Sequence, residues 1–205
     1  MEQEIILNED EKDCLQELMN IAYGFATASI SEILEKFATL SIPKINTISS
    51  KELNTYLNTK LRTNKKYYIC NQLINGHLSG ENIFLIDERS SYNLAKEFDL
   101  DENEIDENEI KDIVLEITNI LSSATSGKLA SLINATVSFN SPHITKIESL
   151  DQFDKRFESE YAHVIIISTE LNFKDQHIKG ELILLTREKS SNYLKEALSK
   201  VLEDL

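Results

Sequence analysis

The sequence predicts an α+β fold: a duplicated domain with pseudo-two-fold symmetry, in which a central antiparallel sheet carries two long helices packed across one face. The same pattern of polar residues occurs in two long amphipathic stretches that lie 99 residues apart. A proline-bearing extended segment follows each stretch, at Pro43 and Pro142, again 99 residues apart. Two strand pairs then carry Gly80-Glu81 and Gly180-Glu181 at a spacing of 100. The two halves therefore share one plan.

The first long helix is predicted to run from about residue 9 to Phe37. Asn8 followed by Glu11 has the spacing of a capping box, and acidic residues favour the positive end of a helix dipole. Pro43 prevents the helix from continuing further. One face is predicted to pack on the sheet because its apolar residues recur with a helical period; they are Leu15, Leu18, Ala22, Phe25, Ile33 and Phe37.

Shorter elements complete the first half. Asn75-Gly76 is a typical hairpin signal between two runs of strand-forming residues. The predicted order is an extended segment at Leu40–Ser49, a helix and loop over 51–66, strands at Tyr67–Leu73 and His77–Ile86, and a helix at Ser90–Phe98.

The second half repeats this order. The strand at 161–171 is rich in Val and Ile, as a central strand would be. The predicted elements are a helix from Ile110 to about Ile133, an extended segment at Val137–Ile147, a variable segment through Glu160, strands at Tyr161–Leu171 and His177–Thr186, and a helix at Ser190–Leu202.

An acidic run precedes the second long helix. Residues 101–112 contain Asp-Glu-Asn-Glu-Ile twice in succession, which is a reason to consider a calcium loop. The run lacks the central glycine and the spaced oxygen ligands that such a loop needs. We interpret it as a solvated linker whose acids cap the helix that follows.

The length of the chain bounds its organisation. With 205 residues and 41% hydrophobic content, it can build a substantial core. Two repeats are too few for a solenoid. We therefore predict one domain over residues 1–205, built of repeats at about 1–100 and 101–205, whose hairpins join into one sheet.

Each long helix carries a line of polar and small residues. Steps of four, three and four residues keep side chains on one helix face. Small residues in such a line let another surface approach the polar groups closely. The first line is Asp13, Glu17, Asn20 and Gly24, continued by Thr27 and Ser31; the second is Asp112, Glu116, Asn119 and Ser123, continued by Ser126 and Ala130.

A single line of this kind is usually a solvated helix face. The small residues also have a competing explanation, since they could pack the two helices against each other. That packing would bury Glu17 and Asn20 without an evident cationic partner, at a cost in free energy. Repetition of the line at a fixed spacing favours a functional pair of sites.

Composition excludes several classes of function. The net charge of −14 argues against binding to a nucleic-acid backbone, which needs a basic surface. No apolar run reaches the roughly 18 residues of a membrane span, and the first residues lack the basic start of a signal peptide. Cys14 and Cys70 form neither a metal-binding spacing nor a disulfide framework. We expect a cytoplasmic protein without a nucleic-acid or membrane partner.

The two motifs resemble those of the CheC family of bacterial chemotaxis phosphatases, which includes CheX and FliY. The family's hallmark is an acid followed by Glu-x-x-Asn on a long surface helix, and it stands here as Asp13-x-x-x-Glu17-x-x-Asn20 and Asp112-x-x-x-Glu116-x-x-Asn119. The resemblance covers almost the whole chain. Two motifs, and a chain that ends after the second repeat, make CheC the nearest pattern. The family often has glycine between Glu and Asn, where Met19 and Thr118 stand here.

This resemblance implies a phosphatase that hydrolyses the aspartyl phosphate of a CheY-type response regulator. An acyl phosphate is already activated, so what the enzyme adds is a water held in line with the scissile P–O bond. The resemblance assigns this role to Asn20 and Asn119, whose neutral carboxamides donate and accept hydrogen bonds without repelling the phosphoryl oxygens. Glu17 and Glu116 are expected to anchor the regulator by pairing with its lysine.

The same resemblance places partner docking at Asp13, Gly24, Asp112 and Ser123. It implies no cofactor of the chain's own and no metal site, with Mg²⁺ supplied by the regulator. The alternative function is that of a non-catalytic CheC-like adaptor, which binds the receptor deamidase CheD or sequesters phosphorylated regulator. Both acid–amide pairs are intact, which favours catalysis.

Overall fold

The computed structural model describes most of the chain. Apart from Glu148, the predicted variable segment through Glu160 lies outside the described residues, and so do residues 161–162 of the predicted strand at Tyr161–Leu171 and Asp101, Glu102 and Glu104 of the acidic run. The residues that the structure describes are 7–61, 65–98, 100, 103, 105–148, 163–173 and 175–203.

Each half of the chain begins with a 26-residue helix. The first half contains α1 (Glu9–Leu34), β1 (Thr39–Leu40), β2 (Lys44–Ser49), α2 (Ser50–Lys60), β3 (Tyr67–Gly76), β4 (Gly80–Asp87) and α3 (Glu88–Ala95). The second half contains α4 (Glu107–Leu132), β5 (Val137–Phe139), β6 (His143–Ile147), β7 (His163–Phe173), β8 (Ile178–Thr186) and α5 (Glu188–Glu203).

The two long helices begin at side-chain caps. Asn8 accepts a hydrogen bond from the Glu11 backbone N–H at 2.8 Å, and the Glu11 carboxylate accepts one from the Asn8 N–H at 2.8 Å. This reciprocal pair is the predicted capping box, and it satisfies backbone donors that the first helical turn leaves free. Asp106, from the acidic run, caps α4 with its side chain alone, by accepting hydrogen bonds from the backbone N–H groups of Asn108 and Glu109. Helix α1 ends at Leu34, because Glu35 takes a left-handed conformation with φ of 50°, so the predicted end at Phe37 is wrong.

The eight described strands form one sheet in which every pairing is antiparallel. Its order is β1-β7-β8-β4-β3-β5, with β2 also on β7 and β6 also on β3. The hairpins of the two halves meet at the centre through β4 and β8. The short edge strands are exchanged, because those of the first half pair with β7 of the second and those of the second half pair with β3 of the first. The predicted α+β fold with an antiparallel sheet is confirmed.

The hairpin between β3 and β4 differs from its prediction. Asn75 and Gly76 do not form a two-residue turn; they continue β3 and pair with Ser138 and Val137 of β5. The reversal follows at residues 77–79. Gly76 has φ of 121°, and a side chain there would meet the Thr136 backbone, so the glycine serves a close approach of strands instead of the turn.

The sheet is covered on both faces. Helices α1, α3, α4 and α5 share one apolar cluster with the residues of alternate strand positions such as Cys70, Ile74 and Phe84. Helix α2 covers the other face through Leu53 and Leu57, and with Leu61 these residues belong to a second, smaller apolar cluster. The prediction that both long helices pack across one face is therefore correct.

The buried face of α1 is not the predicted one. Leu15 and Ala22 are buried as expected, but Phe25, Ile33 and Phe37 are 53%, 51% and 83% exposed. The chain carries two neighbouring apolar stripes on this helix, and contact with the sheet and α4 selects the other one. That stripe consists of Leu15, Met19, Ala22, Tyr23, Ala26, Ile30 and Leu34.

Candidate functional site

Both polar lines lie at the surface. The apolar stripe that seats each long helix turns the opposite side to solvent, so the acids and amides are displayed and not packed between the helices. Exposed are Asp13, Glu17, Asn20 and Gly24 on α1 and Asp112, Glu116 and Asn119 on α4, while Ser123 is half-buried.

Met19 and Thr118 stand between each Glu and Asn, where the resembled family often has glycine. Both side chains are fully buried: Met19 belongs to the apolar cluster that the helices share with the sheet, and Thr118 makes a hydrogen bond with Cys70 of β3. Thr118 satisfies its hydroxyl by donating to the Val114 carbonyl at 2.7 Å. These two positions therefore lie in the packing beneath the polar lines, while the Glu and Asn on either side of them are exposed.

The second line borders a shallow cleft of about 430 Å³. One wall is α4, with Asp112, Glu116 and Asn119. The other wall is the segment from Phe139 to Pro142, which joins β5 to β6, and Gln72 of β3 lies at the base. The proline-bearing segment that the sequence repeats after each long helix therefore flanks the Glu and Asn of the second half.

Gln72 holds the carboxamide of Asn119. Its Nε2 donates to Asn119 Oδ1 at 2.9 Å and to the Asn140 backbone carbonyl at 2.8 Å. The carbonyl can only accept, so the Gln72 atom facing it must be the nitrogen. That nitrogen can only donate, which places the oxygen of Asn119 towards it and leaves the Asn119 NH₂ turned away.

The first line has a different base. In the register of the sheet, Gln72 of β3 lies opposite Asn82 of β4, and Thr169 of β7 lies opposite Leu182 of β8. Leu182 follows Asn82 by 100 residues, the spacing of the two strand pairs. Thr169 is therefore the first line's equivalent of Gln72. Thr169 Oγ1 donates to the Ser41 carbonyl at 2.6 Å, as Gln72 donates to that of Asn140. Among the described residues, no side chain makes a hydrogen bond with Asn20.

The small residues of the two lines also differ. Nothing lies within 4 Å of a Cβ placed on Gly24, so the surface there is open to an approaching partner. Ser123 donates to the Asn119 backbone carbonyl at 2.6 Å. Ser126 and Ala130, predicted to continue the second line, are buried, and Ser126 accepts from Asn82 at 3.0 Å. The exposed part of the second line therefore ends at Asn119, and Ser123 is half-buried.

Neither cysteine, Cys14 or Cys70, belongs to a polar line. Cys70 is fully buried beneath α4, where burial raises the pKa of its thiol to about 11 despite a hydrogen bond with Thr118. Burial also raises the pKa of Cys14. Both thiols are therefore protonated near neutral pH, and the described part of the chain holds no group of three or more His, Cys, Asp or Glu residues placed to bind a metal ion.

Gln72 and the segment 139–142 were not found from the sequence. Gln72 lies in a strand, far along the chain from either motif, and only the strand exchange brings the segment beside β3. One signal was available: with Cys70 and Ile74 facing the core, Gln72 is a polar residue at a core-facing strand position. Such a residue is expected either to pair with another polar group or to serve a site.

Comparison with known proteins gives matches at the level of structure. No family model and no curated protein sequence matches the chain. The crystal structure of Thermotoga maritima FliY matches with a TM-score of 0.73 at 18% identity, over 95% of this chain and 98% of that one. The FliM middle domain from H. pylori matches with a TM-score of 0.59 at 11% identity, over 93% and 99% of the two chains.

A third match includes a bound partner. The CheX–CheY–BeF₃–Mg²⁺ complex from Borrelia burgdorferi matches with a TM-score of 0.51 at 14% identity, over 84% of this chain and 97% of that chain. Within the described residues no helix is both long and apolar enough to cross a membrane. The resemblance inferred from the two motifs holds at the level of the fold, and the chain has the fold seen in FliY, CheX and the FliM middle domain.

Proposed function

We propose that this protein hydrolyses the aspartyl phosphate of a CheY-type response regulator. The observation that carries the proposal is the exposure of two Glu/Asn pairs, at the same position on two equivalent long helices of this fold. A CheX with this fold is known in complex with CheY, BeF₃ and Mg²⁺. BeF₃⁻ on a carboxylate stands in for a phosphoryl group, so that complex is the kind of contact that we propose here.

Asn20 and Asn119 orient the attacking water. The acyl phosphate needs no further activation, because the regulator brings its own Mg²⁺ and lysine to the phosphoryl group. A carboxamide can fix the water by accepting and donating hydrogen bonds and adds no negative charge near the phosphoryl oxygens. Holding a reactant in line for attack is itself a large part of catalysis.

Glu17 and Glu116 anchor the regulator through its lysine. Both carboxylates are exposed, and each lies one helical turn from the amide of its own line. Asp13 and Asp112 extend the acidic surface by one helical turn before each Glu. Gly24 and Ser123 lie one turn after each Asn, where their small side chains leave room for the partner. In this proposal the chain needs no metal or other cofactor of its own.

The second candidate function is that of a non-catalytic adaptor. FliM from H. pylori has this fold and is known in complexes with SpeE and with FliG, so proteins of this fold also assemble with other partners. An adaptor would bind phosphorylated regulator or CheD without accelerating loss of the phosphoryl group.

The decay of a phosphorylated CheY-type regulator separates the two functions. A phosphatase shortens the lifetime of the aspartyl phosphate in proportion to its concentration, at substoichiometric amounts. An adaptor binds the BeF₃⁻-activated regulator but leaves the decay unchanged or slows it. Unchanged decay together with binding would replace the phosphatase by the adaptor. Absence of both would contradict the phosphatase and the regulator-binding adaptor, and a titration with CheD would then test the remaining form of the adaptor.

A further inference from the structure

Gln72 is a buried amide in an apolar layer. Its side chain is 1% exposed and lies on the face of β3 that Cys70 and Ile74 turn towards the helices. A buried carboxamide costs free energy unless its donors and acceptor are paired. Both of its N–H groups are paired, but its Oε1 has no hydrogen-bond partner among the described residues. An apolar residue would avoid that cost, so fold stability alone does not account for glutamine here.

The two partners of Gln72 both belong to the cleft of the second line. Asn140 lies in the segment that forms one wall, and Asn119 lies on the helix that forms the other. Because one nitrogen donates to both, at 2.8 and 2.9 Å, it ties the carboxamide of Asn119 to the wall opposite. The bond restricts the side-chain torsions of an otherwise exposed Asn and fixes which way its oxygen points.

The first half of the chain supplies an internal comparison. Thr169 keeps the bond to the wall segment, at 2.6 Å to the Ser41 carbonyl, but its shorter side chain has no bond with Asn20. The wall can therefore be held without a glutamine. What Gln72 adds to the second half is the contact with the amide.

We propose that Gln72 is a positioning residue, which holds the Asn119 carboxamide in the orientation needed to direct the attacking water, and that the first site works without such a residue. This inference rests on the proposed phosphatase function. Gln72 contacts neither regulator nor phosphoryl group; it acts through Asn119, whose second Oδ1 lone pair and NH₂ group remain available to water.

The substitution that tests the proposal is Gln72→Thr in an Asn20→Ala background, where only the second site can act. Threonine copies the first half, so it can keep the bond to the wall segment and loses the bond to Asn119. We expect kcat for stimulated dephosphorylation to fall roughly three- to tenfold, the effect of one lost hydrogen bond, with KM for phosphorylated regulator little changed. Asn71→Thr is the matched control. Asn71 lies beside Gln72 in β3, but its amide is on the other face of the sheet, where it donates to Glu81. The control therefore removes an amide from the same strand without touching Asn119.

Two kinetic outcomes would overturn the proposal. The first is an unchanged kcat in the Asn20→Ala, Gln72→Thr protein. The second is an equal loss when Gln72→Thr is placed in an Asn119→Ala background, where only the first site remains, because that would show a general effect on the fold.

A spectroscopic measurement separates this inference from the proposed function. The side-chain NH₂ of Asn119, identified by its loss in Asn119→Ala, should be ordered on the nanosecond timescale in the natural protein and mobile in Gln72→Thr. Equal mobility in the two proteins would overturn the positioning role whatever the activity. If the natural protein fails to stimulate dephosphorylation, the proposed function fails, and the amide measurement still decides whether Gln72 orders Asn119.

Discussion

Asn20 and Asn119 present the same carboxamide to solvent, and one side chain distinguishes their hydrogen bonding. Asn119 is held by Gln72 across the base of a cleft, whereas no described side chain makes a hydrogen bond with Asn20. In the proposed function the motif supplies the amide, and the strand beneath the helix decides whether a second side chain holds it. Two copies of one motif therefore need not have equal rates.

The glutamates of the two lines give a prediction about binding. Glu17→Gln together with Glu116→Gln keeps the size of both side chains and removes the charges that are proposed to meet the regulator's lysine. Because exposed ion pairs are weak, we expect the affinity for BeF₃⁻-activated regulator to fall by up to about fivefold at each site. Calorimetric titration at low and high salt measures this, and salt should weaken the natural complex more than the variant complex.

Glu32→Gln with Glu203→Gln is the charge-matched control for that experiment. Both glutamates are exposed and lie outside the two polar lines. The control protein should retain the affinity and the salt dependence of the natural one. If the control loses as much affinity as the Glu17→Gln, Glu116→Gln protein, the regulator is attracted by the overall negative charge of the chain and not by the two polar lines.

At the scale of the elements, one lysine ties together the beginnings of two helices. Lys146 of β6 lies 2.9 Å from Glu107 at the start of α4 and 3.0 Å from Glu88 at the start of α3. Lys111 and Lys146 together lower the pKa of Glu107 from 4.5 to about 2, with the hydrogen bond from Lys111 the larger cause. The same two glutamates raise the pKa of Lys146.

This group of charges predicts a dependence of stability on pH. A carboxyl whose pKa is lowered by folding stabilises the fold above its unfolded pKa, near 4.5, and loses that contribution as the pH falls towards 2. Lys146→Met should therefore lower the urea midpoint at about pH 6, and the difference from the natural protein should shrink as the pH falls towards 2. Lys200→Met is the control, since Lys200 is exposed on α5, and it should show no such convergence.

The elements also show what sequence patterns decide. The capping box at Asn8, the cap from the acidic run at Asp106 and the exposed polar lines follow from local chemistry and were predictable. Which of the two apolar stripes of α1 is buried was not predictable. Both stripes have the helical period, and only their contacts in the folded chain distinguish them. Gln72 was missed for a related reason: its role depends on a pairing between residues 47 positions apart.

At the scale of the whole molecule, the two halves are interlocked. The exchange of β1, β2, β5 and β6 places the edge strands of each half on the hairpin of the other. Duplication in the sequence predicted a shared sheet, since the hairpins alone could meet at their edges. It did not predict the exchange, because the short extended segments carry no signal of which hairpin they join.

The exchange predicts that the halves do not fold separately. Fragments 1–100 and 101–205, produced alone, would each leave β3 or β7 without its edge strands, and we expect neither fragment to show a cooperative unfolding transition in urea. The full chain should unfold in one transition. The matched control is the full chain cleaved once between α3 and α4, which should remain a two-fragment complex and keep the single transition. Cooperative unfolding of either isolated half would contradict the single-domain prediction.

In the proposed function, two exposed carboxamides orient the water that attacks an aspartyl phosphate. The most direct measurement is the decay of phosphorylated CheY-type regulator at saturating concentrations of the Asn20→Ala, Asn119→Ala protein, so that binding does not limit the rate. Removing the positioning groups should slow the stimulated reaction by about 10²–10³-fold, close to the spontaneous decay, while each single variant keeps part of the activity. Stimulated decay at the full natural rate in the double variant, with binding intact, would contradict the claim.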